Sequence, residues 1–189
     1  MGWFSRVFNP VGHARQAQAS RGTNTRTEVF RSSPEDPGFQ LGIPVEWSRA
    51  PWEECIRYAP PEMKLVGNKY SAKIDILITD TGRPNPDRGF MPQGRVEDMR
   101  FAYEHLYEAF CCLDFQSVQV PGARAAARIT FSYRSYGIDC IDSHTMAQCG
   151  HHNFVVMCSA VAKYHGVYEA LYKAVLQSVE IRSAAGEAS

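Results

Sequence analysis

The sequence predicts an α+β fold: a single compact domain with a mostly antiparallel sheet, two main helices and a disordered basic N-terminal arm. Three patterns lead to that expectation. Apolar residues alternate with polar ones in several short runs, the period of a half-buried strand. Two longer runs repeat at spacings of three and four, the period of an amphipathic helix. Residues 1 to 27 contain Arg6, Arg15, Arg21 and Arg26 but no acidic side chain, the first being Glu28.

Taken in order, residues 1–32 are expected to form the arm, because "ARQAQASRGTNTRT" is polar, small-residued and aperiodic. Its tip "MGWFSRVF" gathers Trp3, Phe4 and Phe8 around Arg6, with Trp3, Val7 and Phe8 on one face of a helical turn. An aromatic tip on a basic arm suits a membrane interface or a partner's groove. The contact residues expected there are Trp3, Phe4, Arg6, Phe8, Arg15, Arg21 and Arg26. Residues 33–68 are rich in Pro and Trp, which forbids long helices. An extended segment pinned to the body by Trp47 and Trp52 is expected, with "YAPPEM" as a structural turn. The core domain spans 69–183 and the tail 184–189 is loose.

Within the core, Ala72, Ile74, Ile76 and Ile78 alternate with Lys73, Asp75, Leu77 and Thr79, and read as a strand. "GRPNPDRGFMPQG" follows as a long loop. Val96, Met99, Tyr103, Leu106 and Phe110 mark a helix through "RVEDMRFAYEHLYEAFCC". A short strand at 115–120 ends in the turn "PGAR", and Ala127, Ile129, Phe131 and Tyr133 line one face of the next strand. Residues 140–152 read as a polar loop. "NFVVMCSAVAKY" is apolar on both faces, as a central strand should be. "GVYEALYKAVLQSVEI" closes the fold as a helix with Tyr168, Leu171, Tyr172, Val175 and Val179 on its stripe.

Composition narrows the functional classes. Twenty basic and twenty acidic side chains cancel among 189 residues. Sequence-specific nucleic-acid binding is therefore not expected, since such domains are usually basic. No apolar run approaches the roughly 18 residues of a spanning helix, and the N-terminus has no signal-peptide core. Cys111, Cys112 and Cys158 sit in settings typical of reduced thiols.

Three stretches invite chemistry. "KIDILITDTGRP" resembles the Asp-Thr-Gly loop of aspartic proteases, but Arg83-Pro84 follows where that family has Ala or Ser. Asp80 is then a turn former at a strand end. In "CIDSHTMAQCGHH", Cys140, His144, Cys149 and His152 (or His151) form a candidate metal set. Zinc accepts four such ligands, yet the spacing lacks a C-x2-C knuckle, so no cofactor is expected. Cys140 or Cys149 beside a His would be a candidate nucleophile, but neither lies in an activating setting. No catalytic residue is assigned, and a non-enzyme is expected.

The arm "MGWFSRVF" with Arg15 to Arg26, the Pro-Pro motif in "YAPPEM", and the strand-loop-helix from "KYSAKIDILITD" to "RVEDMRFAYEHLYEAF" together resemble the matrix proteins of rhabdoviruses and related negative-strand RNA viruses. The resemblance implies a non-enzymatic structural protein that self-associates and bridges an anionic membrane surface and the nucleocapsid. Its partners would be further copies, viral nucleoprotein and peripheral lipid, and its place the host cytoplasm, the inner membrane face and the virion. The alternative is a small intracellular enzyme or metal-binding protein built on the Cys/His loop 140–152.

Overall fold

The computed structural model describes residues 24–31, 36–50, 55–67, 69–80, 99–150 and 152–182. A seven-stranded antiparallel sheet forms the frame, in the order β3-β4-β7-β11-β10-β9-β8. Its strands are β3 (Ser48–Ala50), β4 (Ile56–Ala59), β7 (Ala72–Asp80), β8 (Glu108–Ser117), β9 (Ala125–Ser135), β10 (Ile138–Cys149) and β11 (His152–Val161). A second, three-stranded sheet runs β1-β2-β12, from β1 (Thr25–Phe30), β2 (Gly38–Pro44) and β12 (Glu180–Arg182). A two-stranded ribbon joins β5 (Leu65–Val66) to β6 (Lys69–Tyr70). Two helices are described, α1 (Met99–Leu106) and α2 (Ala162–Gln177). The α+β class, the antiparallel pairing and the two helices are as the sequence predicts.

The large sheet has two differently covered faces. On one, Ile74, Ile76, Phe154, Val156 and Cys158 pack with the α2 side chains Tyr168, Tyr172, Val175 and Leu176 and with Phe39, Leu41 and Ile43 of the small sheet. Phe39 stacks on Phe154 at 5.2 Å, and the edge of Trp47 meets Tyr168 at 5.8 Å. On the other face, α1 lays Tyr103 on Ala127, Ile129, Phe131, Met146 and Val155. That helix is only eight residues long, so it covers part of the face.

Four expectations need correction. The flexible arm does not extend to residue 32, because Thr25–Phe30 pairs with β2 along its whole length. The helix expected through residue 112 stops at Leu106. Ala109 takes a left-handed φ of 52°, which an α-helix does not allow, and β8 begins at Glu108 with a register shift before Cys111. The polar stretch 140–152 is not a loop: it is most of β10, the turn and the start of β11. Its polar side chains bond across strands, Arg128 Nε to Thr145 Oγ1 at 2.9 Å and Thr130 to Ser143 at 2.9 Å. The last helix starts earlier and ends at Gln177, where the Ser178 N–H closes onto Ala174 and Val175. Ser178 Oγ then accepts the Gly42 N–H at 2.7 Å, tying the helix end to β2.

Other expectations hold. β11 is the middle strand of seven and is buried along nearly all its length. "YAPPEM" is a turn, closed by Met63 N–H to Pro60 O at 3.1 Å. "PGAR" is also a turn. Gly122 has φ 78° there, and a Cβ would lie 2.1 Å from the Ile181 carbonyl oxygen. Only glycine fits this position.

Candidate ligand-binding cleft

Strand pairing places the residues of one sheet face in rows. Phe131 opposes Asp142, Asp142 opposes Ser159, and Ser159 opposes Lys73, so these four form one row across β9, β10, β11 and β7. The next row runs Ile129, His144, Met157, Asp75 and Arg57. Both rows lie on the face that α1 covers only in part. Beyond the end of α1 the face opens into a cleft of about 580 Å³. Asp142, His144, Tyr133 and Ser159 line its floor, with Leu106 and Tyr107 on one side and Lys69 and Lys73 on the other. The β9–β10 turn contributes Tyr136 to the rim.

Polar groups are buried at this floor. Asp142 is 4% exposed and His144 1%. His144 Nε2 lies 3.3 Å from Asp142 Oδ2 and Nδ1 lies 2.9 Å from the Tyr103 hydroxyl. A carboxylate can only accept, so Nε2 donates to Asp142, while Nδ1 pairs with the Tyr103 hydroxyl. The Tyr133 hydroxyl donates to the same Oδ2 at 3.4 Å. Both contacts to Asp142 are longer than a good hydrogen bond. The other oxygen, Oδ1, is buried and has no hydrogen-bond partner. No lysine or arginine forms an ion pair with Asp142 among the described residues; its one such contact is His144.

The surrounding phenols and thiols are held in their protonated forms. Burial pushes Tyr133 far up, and the Asp142 charge adds to it. Tyr107 and Tyr103 are raised first by burial as well, with Asp142 contributing to each. Burial and then Asp142 raise the Cys140 thiol. None of these groups is poised as a nucleophile.

Tyr136 is notable for its backbone. It has φ 53° and is followed by Gly137 at 76°, the sign pattern of a type I′ hairpin turn. A tyrosine is uncommon at such a φ, where Asn, Asp and Gly are preferred. Its ring is 81% exposed and sits 5.6 Å from Lys69 Nζ.

The residues singled out in the sequence fall elsewhere, apart from His144, which lines the cleft. Trp3, Phe4, Arg6, Phe8, Arg15 and Arg21 lie outside the described residues. Arg26 is tied within the chain. Its guanidinium donates to the carbonyls of Pro44, Val45 and Trp47 at 3.2, 2.9 and 3.0 Å and pairs with Glu28 at 2.7 Å. The candidate metal set does not assemble. Cys140 and His144 are four positions apart on one strand, about 13 Å along it. Cys149 opposes His152 on the opposite face, packed against the α2 core. Among the described residues no cluster of three or more His, Cys, Asp or Glu could hold a metal. All six cysteines are free. Asp80 ends β7 opposite His152, and the rest of the Asp-Thr-Gly stretch lies outside the described residues.

Sequence reading missed Asp142, Tyr133, Ser159 and Lys73. The available signal was the i, i+2 alternation of Asp142 and His144, which places two polar side chains on one strand face.

No protein-family model matches this sequence, and no curated protein matches it. The fold does resemble solved structures. One is LpqN, a protein involved in cell envelope biogenesis of Mycobacterium tuberculosis, at 13% identity and a TM-score of 0.54 over 94% of this chain and 99% of that one. Another is cyanobacterial PsbP (CyanoP) from Synechocystis, at 8% identity and 0.54 over 96% and 98%. A third, from Bacteroides thetaiotaomicron, has 12% identity and a TM-score of 0.51, covering 82% of this chain and 48% of that one. At these identities the likeness is one of fold.

These structures are bacterial and cyanobacterial proteins, not viral matrix proteins, and they overturn the matrix-protein resemblance. The structural role bridging membrane and nucleocapsid, and the virion setting implied with it, go too. The resemblance rested on order and composition, and part of the supposed arm is strand β1. The alternative of an enzyme or metal protein built on a 140–152 loop loses its premise, since that stretch is paired strand. Among the described residues no helix is long and apolar enough to cross a membrane.

Proposed function

We propose that the protein is a binding module, not a catalyst, and that its ligand is a small polar molecule seated in the cleft over Asp142. The observation that supports this is the buried carboxylate with an unfilled acceptor at the cleft floor. An unsatisfied buried acceptor costs about 1–3 kcal/mol, more when charged. Asp142 itself lines the cleft, so a bound molecule can meet its carboxyl group there. The raised phenols and thiol favour binding over catalysis, because they supply hydrogen-bond donors and no nucleophile. The left-handed Tyr136 at the rim adds a backbone irregularity of the kind that clusters at functional sites.

The test is amide chemical-shift mapping on the full chain against a panel of small amines, carboxylates and sugars. Saturable shifts centred on residues 133–144 and 157–159 are expected for at least one class. Shifts confined to another surface, or turnover of the bound compound, would defeat the reading.

A further inference from the structure

Resting on the reading of the cleft as the ligand site, we infer that its ligand is a small ω-amino acid, whose ammonium pairs with Asp142 and whose acid group faces Lys69 and Lys73. Three observations converge on this. Asp142 is a buried carboxylate whose polar contacts are the two long ones from His144 and Tyr133, at 3.3 and 3.4 Å. A buried charge of this kind is stabilised by a cation far more than by a neutral hydroxyl. No lysine or arginine pairs with Asp142 among the described residues, and the ligand's ammonium supplies that partner.

The walls suit the same group. The rings of Tyr107 and Tyr133 are 4.7 Å apart and both line the cleft. Neutral phenol faces attract an organic cation, and burial keeps both phenols neutral.

The opposite rim sets the other end of the ligand. Lys69 and Lys73 both line it, and Lys73 shares the Asp142 row with Ser159 between them. Lys73 is ion-paired with Asp75 at 2.5 Å, but Arg57 holds the same carboxylate, so the group keeps one positive charge in excess. Two strand spacings separate the backbones of Asp142 and Lys73 by about 10 Å. A second ammonium would be repelled here, which excludes diamines, and an acid group would be held. A six-carbon amino acid, extended at about 1.2 Å per bond, spans most of that gap. The remaining charged side chains at the cleft do not alter this polarity. Arg134 is paired with Asp139 at 2.9 Å, and Glu108 opposes Arg134 across the β8–β9 pair.

The experiment titrates the full chain with 6-aminohexanoate, hexylamine, hexanoate, 1,6-diaminohexane and glucose, following amide shifts and heat. 6-Aminohexanoate is expected to bind saturably at residues 133–144, with hexylamine and hexanoate each about tenfold weaker or more. Asp142→Asn should weaken it roughly thirtyfold or more, as loss of a buried charge partner does. Lys69→Gln should weaken 6-aminohexanoate but leave hexylamine unchanged, a split that misfolding would not produce. The inference is overturned if glucose or hexanoate shifts the cleft residues while 6-aminohexanoate does not. In that case the cleft remains the ligand site with a different occupant. It is also overturned if 6-aminohexanoate binds wild type and Asp142→Asn equally, or if none of the five probes moves these residues. Failure across the broader panel as well removes the cleft reading itself.

Discussion

Two buried aspartates occupy neighbouring rows of one sheet face, and they are treated in opposite ways. Asp75 is 3% exposed and receives Arg57 Nε and Nη2 at 2.6 and 2.8 Å and Lys73 Nζ at 2.5 Å. Tyr70 closes over Arg57, with its ring 5.0 Å from the guanidinium carbon. Asp142 is 4% exposed and has an imidazole and a phenol at long range, with one oxygen unpaired. Burial acts upward on the Asp75 pKa, yet the Arg57 and Lys73 contacts bring it below the ordinary carboxylate value. The difference separates a carboxylate that holds strands β4 and β7 together from one that the fold leaves incomplete. Burial and residue type are nearly the same for both. The cations around them differ, and that contrast marks the cleft.

The largest effect should come from breaking the complete pair. Asp75→Asn leaves Arg57, itself 4% exposed, as a buried charge without its carboxylate. A loss of about 3–5 kcal/mol is expected, read from the urea midpoint. A loss under about 1 kcal/mol would mean that the two aspartates are equivalent after all.

A pH series sharpens the same point. The folded-state pKa of Asp75 is depressed, so its contribution is complete above the unfolded value near 3.9 and is lost as pH falls through the folded value. Wild-type stability should therefore drop steeply below about pH 4, and Asp75→Asn should flatten that slope. An unchanged slope in the variant would assign the acid sensitivity elsewhere.

Lys73 is the more exposed partner of Asp75, 24% accessible against 4% for Arg57. Lys73→Gln should cost about 1 kcal/mol, in the range of partly exposed ion pairs. If it cost as much as Asp75→Asn, the lysine and not the arginine would be the main counter-charge.

The smallest effect is expected at Asp142. Asp142→Asn replaces a buried carboxyl group that no lysine or arginine pairs with among the described residues, so the unliganded protein should be unchanged or more stable by up to about 1 kcal/mol. Thermal and urea midpoints both report it. A destabilisation of several kcal/mol would make Asp142 a structural residue like Asp75.

Local periodicity made much of the fold legible. The alternation at Ala72–Asp80 and at Ala125–Ser135 and the apolar run of His152–Val161 are strands as read, because the period-2 pattern is set by which face each side chain meets. The site was not legible in the same way. "CIDSHTMAQC" looks like a loop by composition, and neighbours outside it, Tyr103, Arg128 and Thr130, give several of its polar atoms their partners. The 95–112 stretch was misread for a related reason. Helical spacing continues through Phe110, but pairing with β9 recruits Glu108–Ser117 as an edge strand, and Ala109 bends to allow it.

By itself, then, the sequence determined the class, the strongly periodic strands, the two helices and the turns at Pro60–Met63 and Pro121–Gly122. These depend on nearest neighbours and on backbone preferences that a few adjacent residues carry. Tertiary structure alone decided that Arg26 ties β1 to the loop after β2, that Cys140 and His144 lie on one sheet face and Cys149 and His152 on the other, and that Asp75 meets Arg57 while Asp142 meets no such cation. A charge's environment is fixed by strand order across the sheet, and strand order brings together residues whose spacing along the chain does not predict that they meet.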